Sequence, residues 1–151
     1  MSFEKIHKIK TFLPCKKFII FGLGYDSIIW KILNNNNTTS FIENDPEYIK
    51  KFISKDHNNL EIRSANYDTN TRDYIHNLGG DMYIPEVSGS LDFFTYDVVL
   101  VDAPVSSLFT RYQSISLAKV LVKPKGVIIV DDYERQEEKD ICDILLTDVK
   151  F

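Results

Sequence analysis

Two glycines and four acids have the types and spacing to do chemistry. Gly22-Leu23-Gly24 breaks the apolar run 18–21 and leads into a helical pattern over 26–33. Gly22 permits a tight turn, and Gly24 lets a ligand approach the backbone. A dinucleotide fingerprint asks for a third glycine so that strand and helix pack closely over a pyrophosphate. Ser27 stands there instead, which tilts the reading toward S-adenosylmethionine, a nucleotide-like ligand with no phosphate to cradle. Glu43 closes the next apolar strand, where an acid takes ribose hydroxyls. A diol offers two donors and a carboxylate accepts both. Taken alone, the glycines read equally as a strand–helix corner and Glu43 as a solvated strand end.

The remaining acids are Asp102, Asp131 and Asp132. Each follows an apolar strand, so all three are expected at one rim. Unpaired carboxylates packed together repel. A hard divalent cation, Mg²⁺, Mn²⁺ or Co²⁺, would relieve that and acidify a bound hydroxyl. The set resembles the metal site of catechol O-methyltransferase-type enzymes. Alternatively, Asp131 and Asp132 cap the following helix and pair with Arg135 or Lys139, and Arg111 or Arg135 neutralises the cluster. His7, His57 and His76 fall on peripheral segments and read as surface residues.

These positions need a scaffold. Strands are expected over 18–21, 39–42, 60–64, 98–101 and 127–130. Helices are expected over 26–33, from Pro46 onward, and over 71–78, 114–122 and 134–146. Asp45 is placed to cap the helix opened by Pro46. Alternating strands and helices imply an α/β domain with a mostly parallel sheet covered on both faces. Ligands in such sheets bind beyond the carboxyl ends of the strands, where the glycines and acids lie.

Composition bounds the rest. The chain has 151 residues, enough for one domain over 1–151, with 44% apolar and 26% charged residues. A net charge of −4 with scattered Lys and Arg argues against a nucleic-acid surface. Cys15 and Cys142 are far apart and read as free thiols. The charged N-terminus is no secretory signal, and no run is long enough to span a membrane, so a soluble cytoplasmic chain is expected. The Asn-rich patch 34–39, a surface loop, and the Asn-, Ile- and Lys-rich usage fit an AT-rich protist or a large DNA virus.

The motifs FGLGYDSIIWKIL, TTSFIENDPEYI, ANYDT, YIPEV, YDVVLVDAP, RYQSI and VDDYERQEEK occur in this order. Together they resemble the polysaccharide-biosynthesis domain of plant glucuronoxylan 4-O-methyltransferases and their relatives, over nearly the whole chain. The resemblance implies a Rossmann-like class I methyltransferase sandwich and methyl transfer from S-adenosylmethionine to a sugar hydroxyl of a glycan or nucleotide sugar. It implies a cofactor loop at Gly22, Gly24, Asp26 and Ser27, flanked by Phe21 and Leu23. Glu43, with Asn44 beside it, would take the ribose. Asp102 would touch the cofactor and, with Asp132, serve the chemistry. Asp131-Asp132-Tyr133 departs from the family's His-Asp-Val, a difference that bears on the acceptor. The segment 148–151 starts at most one further strand, so the sheet is expected to be truncated at its C-terminal end, with an open edge that would favour a homodimer. Two rivals stand: a non-catalytic binding module, and an NAD-dependent sugar-nucleotide enzyme. The second wants Tyr-x-x-x-Lys, and Tyr48, Tyr67, Tyr74 and Tyr133 all lack the lysine.

Overall fold

The structure, a computed structural model, describes residues 3–53, 60–69, 75–104 and 107–147. Its core is a six-stranded sheet ordered β4-β3-β2-β1-β5-β6. The strands are β1 (Lys17–Phe21), β2 (Thr38–Glu43), β3 (Glu61–Asn66), β4 (Glu86–Val87), β5 (Tyr96–Val101) and β6 (Val122–Val130). All neighbours run parallel except β3 and β4. The order reverses at β1, whose neighbours are β2 on one side and β5 on the other. Such a reversal opens a crevice at the carboxyl ends of the two strands beside it.

The apolar strands are central because both their faces are covered. In β1, Ile19 and Phe21 point into one core while Phe18 and Ile20 point into the other. The first core packs against α4 (Leu108–Leu121) and α5 (Gln136–Leu145). The second packs against α1 (Phe3–Lys10) and α2 (Ser27–Leu33), with Trp30 edge-on to Phe18. Asp45 caps α3 (Pro46–Ile53) as expected, its Oδ1 accepting the Glu47 and Tyr48 N–H groups at 2.9 and 3.1 Å.

Four differences from expectation stand out. The helix expected from Ser114 begins six residues earlier, because Arg111, Gln113, Ser114 and Ser116 are buried despite being polar. Ser107 and Thr110 start it with a reciprocal capping box. The strand expected over 127–130 begins at Val122 and crosses an irregularity opposite Tyr96 and Val98. Helix α1 was not expected at all. Of the helix expected over 71–78, the described part is a single 3₁₀ turn, Ile75–Leu78. His57 and 148–151 lie outside the described residues. No helix among the described residues is long and apolar enough to cross a membrane.

Candidate functional site

The backbone ladder continues one residue past the strands. Gly22 N–H donates to Ile42 O at 2.7 Å, Asp102 N–H to Phe21 O at 3.1 Å, and Asp131 N–H to Val101 O at 2.9 Å. Gly22, Asp102 and Asp131 therefore follow one another along the carboxyl rim of β1, β5 and β6. The sheet itself sets their order.

Gly22 has φ +107°, and a Cβ there would meet the Ala103 Cβ at 2.8 Å. The glycine lets the loop after β5 close onto the loop after β1. Gly24 is used differently from the expectation. A Cβ on it would meet Asp26 Oδ1 at 2.6 Å, so the room beside Gly24 is taken by the Asp26 carboxylate. Gly24 N–H donates to Ser27 Oγ at 3.0 Å, and Ser27 is buried. The residue in the third-glycine position thus braces the turn with its own hydroxyl. Phe21 contributes backbone to the rim while its side chain fills the core. Leu23 packs against the opposite core.

Glu43 is 8% exposed. Its Oε2 accepts Leu23 N–H at 3.0 Å, and its Oε1 accepts Asn44 and Asp45 N–H at 2.7 and 2.9 Å. A carboxylate has about four acceptor sites, so about one remains, on Oε2. Glu43 ties the glycine turn to the end of β2 and keeps capacity for a single ligand hydroxyl. Asn44 is exposed beside it, at the edge of a cleft of about 490 Å³ that Pro46, Ser64, Asn66 and Glu86 also line.

Asp102 is half-buried. Burial, then a hydrogen bond to the Asp131 carboxylate, pushes it up from an ordinary 3.8 to about 7. Burial would push Asp131 up as well, but hydrogen bonds from Asp102 and from the Lys5 ammonium hold it below its ordinary value. Of the two, Asp102 is the carboxyl that keeps its proton to higher pH. Lys5 Nζ lies 2.7 Å from Asp131 Oδ1, 3.1 Å from Asp132 Oδ1 and 3.5 Å from Glu134. Arg135 reaches Asp132 Oδ2 at 2.9 Å.

These partners correct the metal expectation. Asp131 and Asp132 are ion-paired with Lys5 and Arg135, and Asp102 is held up toward its protonated form by burial and by Asp131. Among the described residues no group of three or more His, Cys, Asp or Glu side chains is arranged to hold a metal ion, so a divalent cation at Asp102, Asp131 and Asp132 is not supported. Of the two arginines considered for neutralising the cluster, Arg135 does so, whereas Arg111 faces Glu138 at 3.7 Å. The capping expectation fails too: residue Arg135 occupies the N-cap of α5 with no side-chain cap. Lys5 is the functional candidate that sequence reasoning missed. Its only signal was the Ile6/Ile9 spacing of an otherwise charged segment. Both cysteines are free, as expected, and burial pushes Cys15 to about 11 and Cys142 to about 12, leaving inert thiols.

The donor set suits S-adenosylmethionine. Glu43 and Asp26 give the rim beside the turn negative charge, which favours a sulfonium and opposes a pyrophosphate.

A family model described as IRX15/IRX15L/GXM matches residues 3–86, more than half of the chain. The chain is similar to Arabinogalactan O-methyltransferase 2 of Arabidopsis thaliana, with 43% identity over 72 residues, 45% of this chain and 24% of that protein. It is similar to Glucuronoxylan 4-O-methyltransferase 3 of the same plant, with 34% identity over 124 residues, 68% of this chain and 41% of that protein. Protein IRX15-LIKE is 26% identical over 173 residues, 92% of this chain and 54% of that protein. The chain therefore spans between about a quarter and about half of the length of these curated relatives. No solved structure matches it significantly.

Proposed function

Because this chain belongs to the IRX15/IRX15L/GXM family, we propose that it is an S-adenosylmethionine-dependent O-methyltransferase acting on a sugar hydroxyl of a glycan or nucleotide sugar. Relatives named for arabinogalactan and glucuronoxylan O-methylation support the glycan class. The observation that carries the reading is the Asp102–Asp131 pair. It is a carboxylic acid poised near neutrality, one ladder step from a glycine turn at the sheet's reversal.

Bound S-adenosylmethionine supplies an electrophilic methyl on a sulfonium. The turn Gly22–Gly24 and the remaining Oε2 site of Glu43 would hold it, with Asp26 beside the turn. Asp102 in its ionised form accepts the proton of the acceptor hydroxyl, which is a poor nucleophile while protonated. A base whose pKa lies near the working pH is both available and strong enough. Asp131, kept anionic by Lys5, orients Asp102 through their hydrogen bond. Asp132 is ion-paired with Lys5 and Arg135, and it shapes the charge of the rim rather than taking the proton.

The test is methyl transfer to xylan and arabinogalactan oligosaccharides, alongside calorimetric titration with S-adenosylmethionine. Asp102→Asn should keep cofactor affinity and lose about 10²-fold or more in turnover. Undiminished transfer by that variant removes Asp102 from the chemistry. A non-catalytic binding module is the second reading. It is favoured by one observation: Protein IRX15-LIKE and Protein IRREGULAR XYLEM 15, which align with 92% of the chain, carry names that state no activity. Cofactor binding without transfer to any of these acceptors would establish it.

A further inference from the structure

The cleft between the first turns of α4 and α5 holds an unexplained polar pair. Arg111 is 2% exposed and Glu138 4%. Arg111 Nη1 donates to Val101 O at 3.2 Å, tying the guanidinium to the residue before Asp102. Its Nε lies 3.7 Å from Glu138 Oε1, an ion pair too long for a hydrogen bond. Among the described residues, Arg111 Nε, Arg111 Nη2 and Glu138 Oε2 have no hydrogen-bond partner. Buried polar groups are nearly always satisfied, and each exception asks for a cause. Arg111 and Glu138 line a cavity of about 330 Å³, with Ser107, Leu108, Arg135 and Glu137 as its other walls. That volume lies in the ~300–1,000 Å³ range of small-molecule sites.

We propose that this cavity is a subsite for a neutral sugar ring, whose hydroxyl accepts from Arg111 and donates to Glu138. The unsatisfied atoms are donors on a cation and an acceptor on an anion. A hydroxyl is both donor and acceptor, so one group completes the set. A carboxylate would satisfy Arg111 but leave Glu138 Oε2 orphaned. Naming the sugar as part of the acceptor rests on the methyltransferase reading; the sugar site itself does not.

The place of the cavity fits an acceptor subsite. α4 follows the loop that carries Asp102, and α5 follows the turn that carries Asp131 and Asp132. The cavity lies between those two helix starts, on the β5–β6 half of the rim. The cleft next to Asn44 lies on the β2–β3 half.

The experiment is a titration of ¹⁵N-labelled chain with methyl β-D-xylopyranoside and, separately, with methyl β-D-glucopyranosiduronate. The Nε–H resonance of Arg111 is the reporter. The expected result is a saturable shift of that resonance with the neutral glycoside, at least fivefold stronger in affinity than with the uronate. In Glu138→Gln the neutral glycoside should weaken and the uronate gain, narrowing or reversing the preference. A uronate preference in the parent chain overturns the proposal in favour of an anion pocket. No shift with either glycoside up to about 50 mM overturns it outright. If Glu138→Gln does not fold, the parent titration still decides. S-adenosylmethionine is titrated in parallel. Absent cofactor binding with a shifted Arg111 would sink the methyltransferase reading and leave the sugar site, and the reverse result would do the opposite.

Discussion

At the scale of single residues, the proton on Asp102 makes stability depend on pH and, on the proposed mechanism, turnover as well. Its pKa of about 7 exceeds the ordinary 3.8, so the folded chain binds this proton more tightly than the unfolded chain. Stability from this group therefore falls as pH rises from about 4 to about 7. Urea melts should show Asp102→Asn gaining on the parent at pH 8 relative to pH 5, by roughly 1–3 kcal/mol. Turnover should run the other way, rising through pH 7 as the base ionises. A parent profile that is flat between pH 6 and 8 would count against Asp102 as base. Gly22 permits a second check. With φ +107° and the Ala103 Cβ 2.8 Å from where a Cβ on residue 22 would stand, Gly22→Ala should cost on the order of 2–4 kcal/mol. A urea midpoint equal to the parent's would contradict that. Both residues were legible in the sequence, Gly22 as a turn and Asp102 as a strand-end acid. Their neighbours were not. The proton on Asp102 depends on burial, and the need for glycine at 22 depends on Ala103, eighty-one residues on.

At the scale of elements, α1 brings Lys5 to the acids of the rim. It was not legible because Lys and Glu fill most of its turns, and Ile6 and Ile9 alone do not make a convincing stripe. α4 was half legible for a related reason. Its buried polar residues hide the apolar period, and Gln113 and Ser114 take distant partners. Gln113 exchanges hydrogen bonds with the Asp68 backbone at 3.1 and 2.9 Å, and Ser114 Oγ donates to Tyr67 Oη at 3.0 Å. Such pairings cannot be seen from local sequence. Lys5→Gln tests the role of α1. The lysine is about a third exposed, so its loss should cost less than about 1 kcal/mol of stability. Its electrostatic effect should be larger. Without the ammonium, the acid pair gives up its last proton less readily, and the midpoint of the pH–rate profile should move upward, by about half a unit or more. An unmoved midpoint would mean that Lys5 holds the helix in place and does nothing for the base.

At the scale of the whole molecule, the order of strands turns scattered residues into a site. The alternating pattern made a mostly parallel α/β sheet legible, because apolar strands such as VVLV and VIIV have few other places to go. It did not reveal the reversal at β1, which follows from the crossover from β3 and β4 to β5, nor the two-residue antiparallel β4. That reversal puts Glu43 and Asp26 on one side of the crevice and Asp102, Asp131 and Asp132 on the other. With a net charge of −4 over the chain, the rim should discriminate between nucleotide ligands by charge. S-adenosylmethionine brings a sulfonium and an ammonium to the acids. NAD⁺ brings a pyrophosphate, and the turn offers it little: Gly24 N–H is engaged by Ser27 and Leu23 N–H by Glu43. Calorimetry at low salt should therefore give measurable affinity for S-adenosylmethionine and none for NAD⁺ at the same concentration. The preference should shrink as salt screens the rim, over a Debye length of about 8 Å at 0.15 M. Equal binding of the two ligands would mean that the turn recognises the shared adenosine alone, and that the acids serve only the fold.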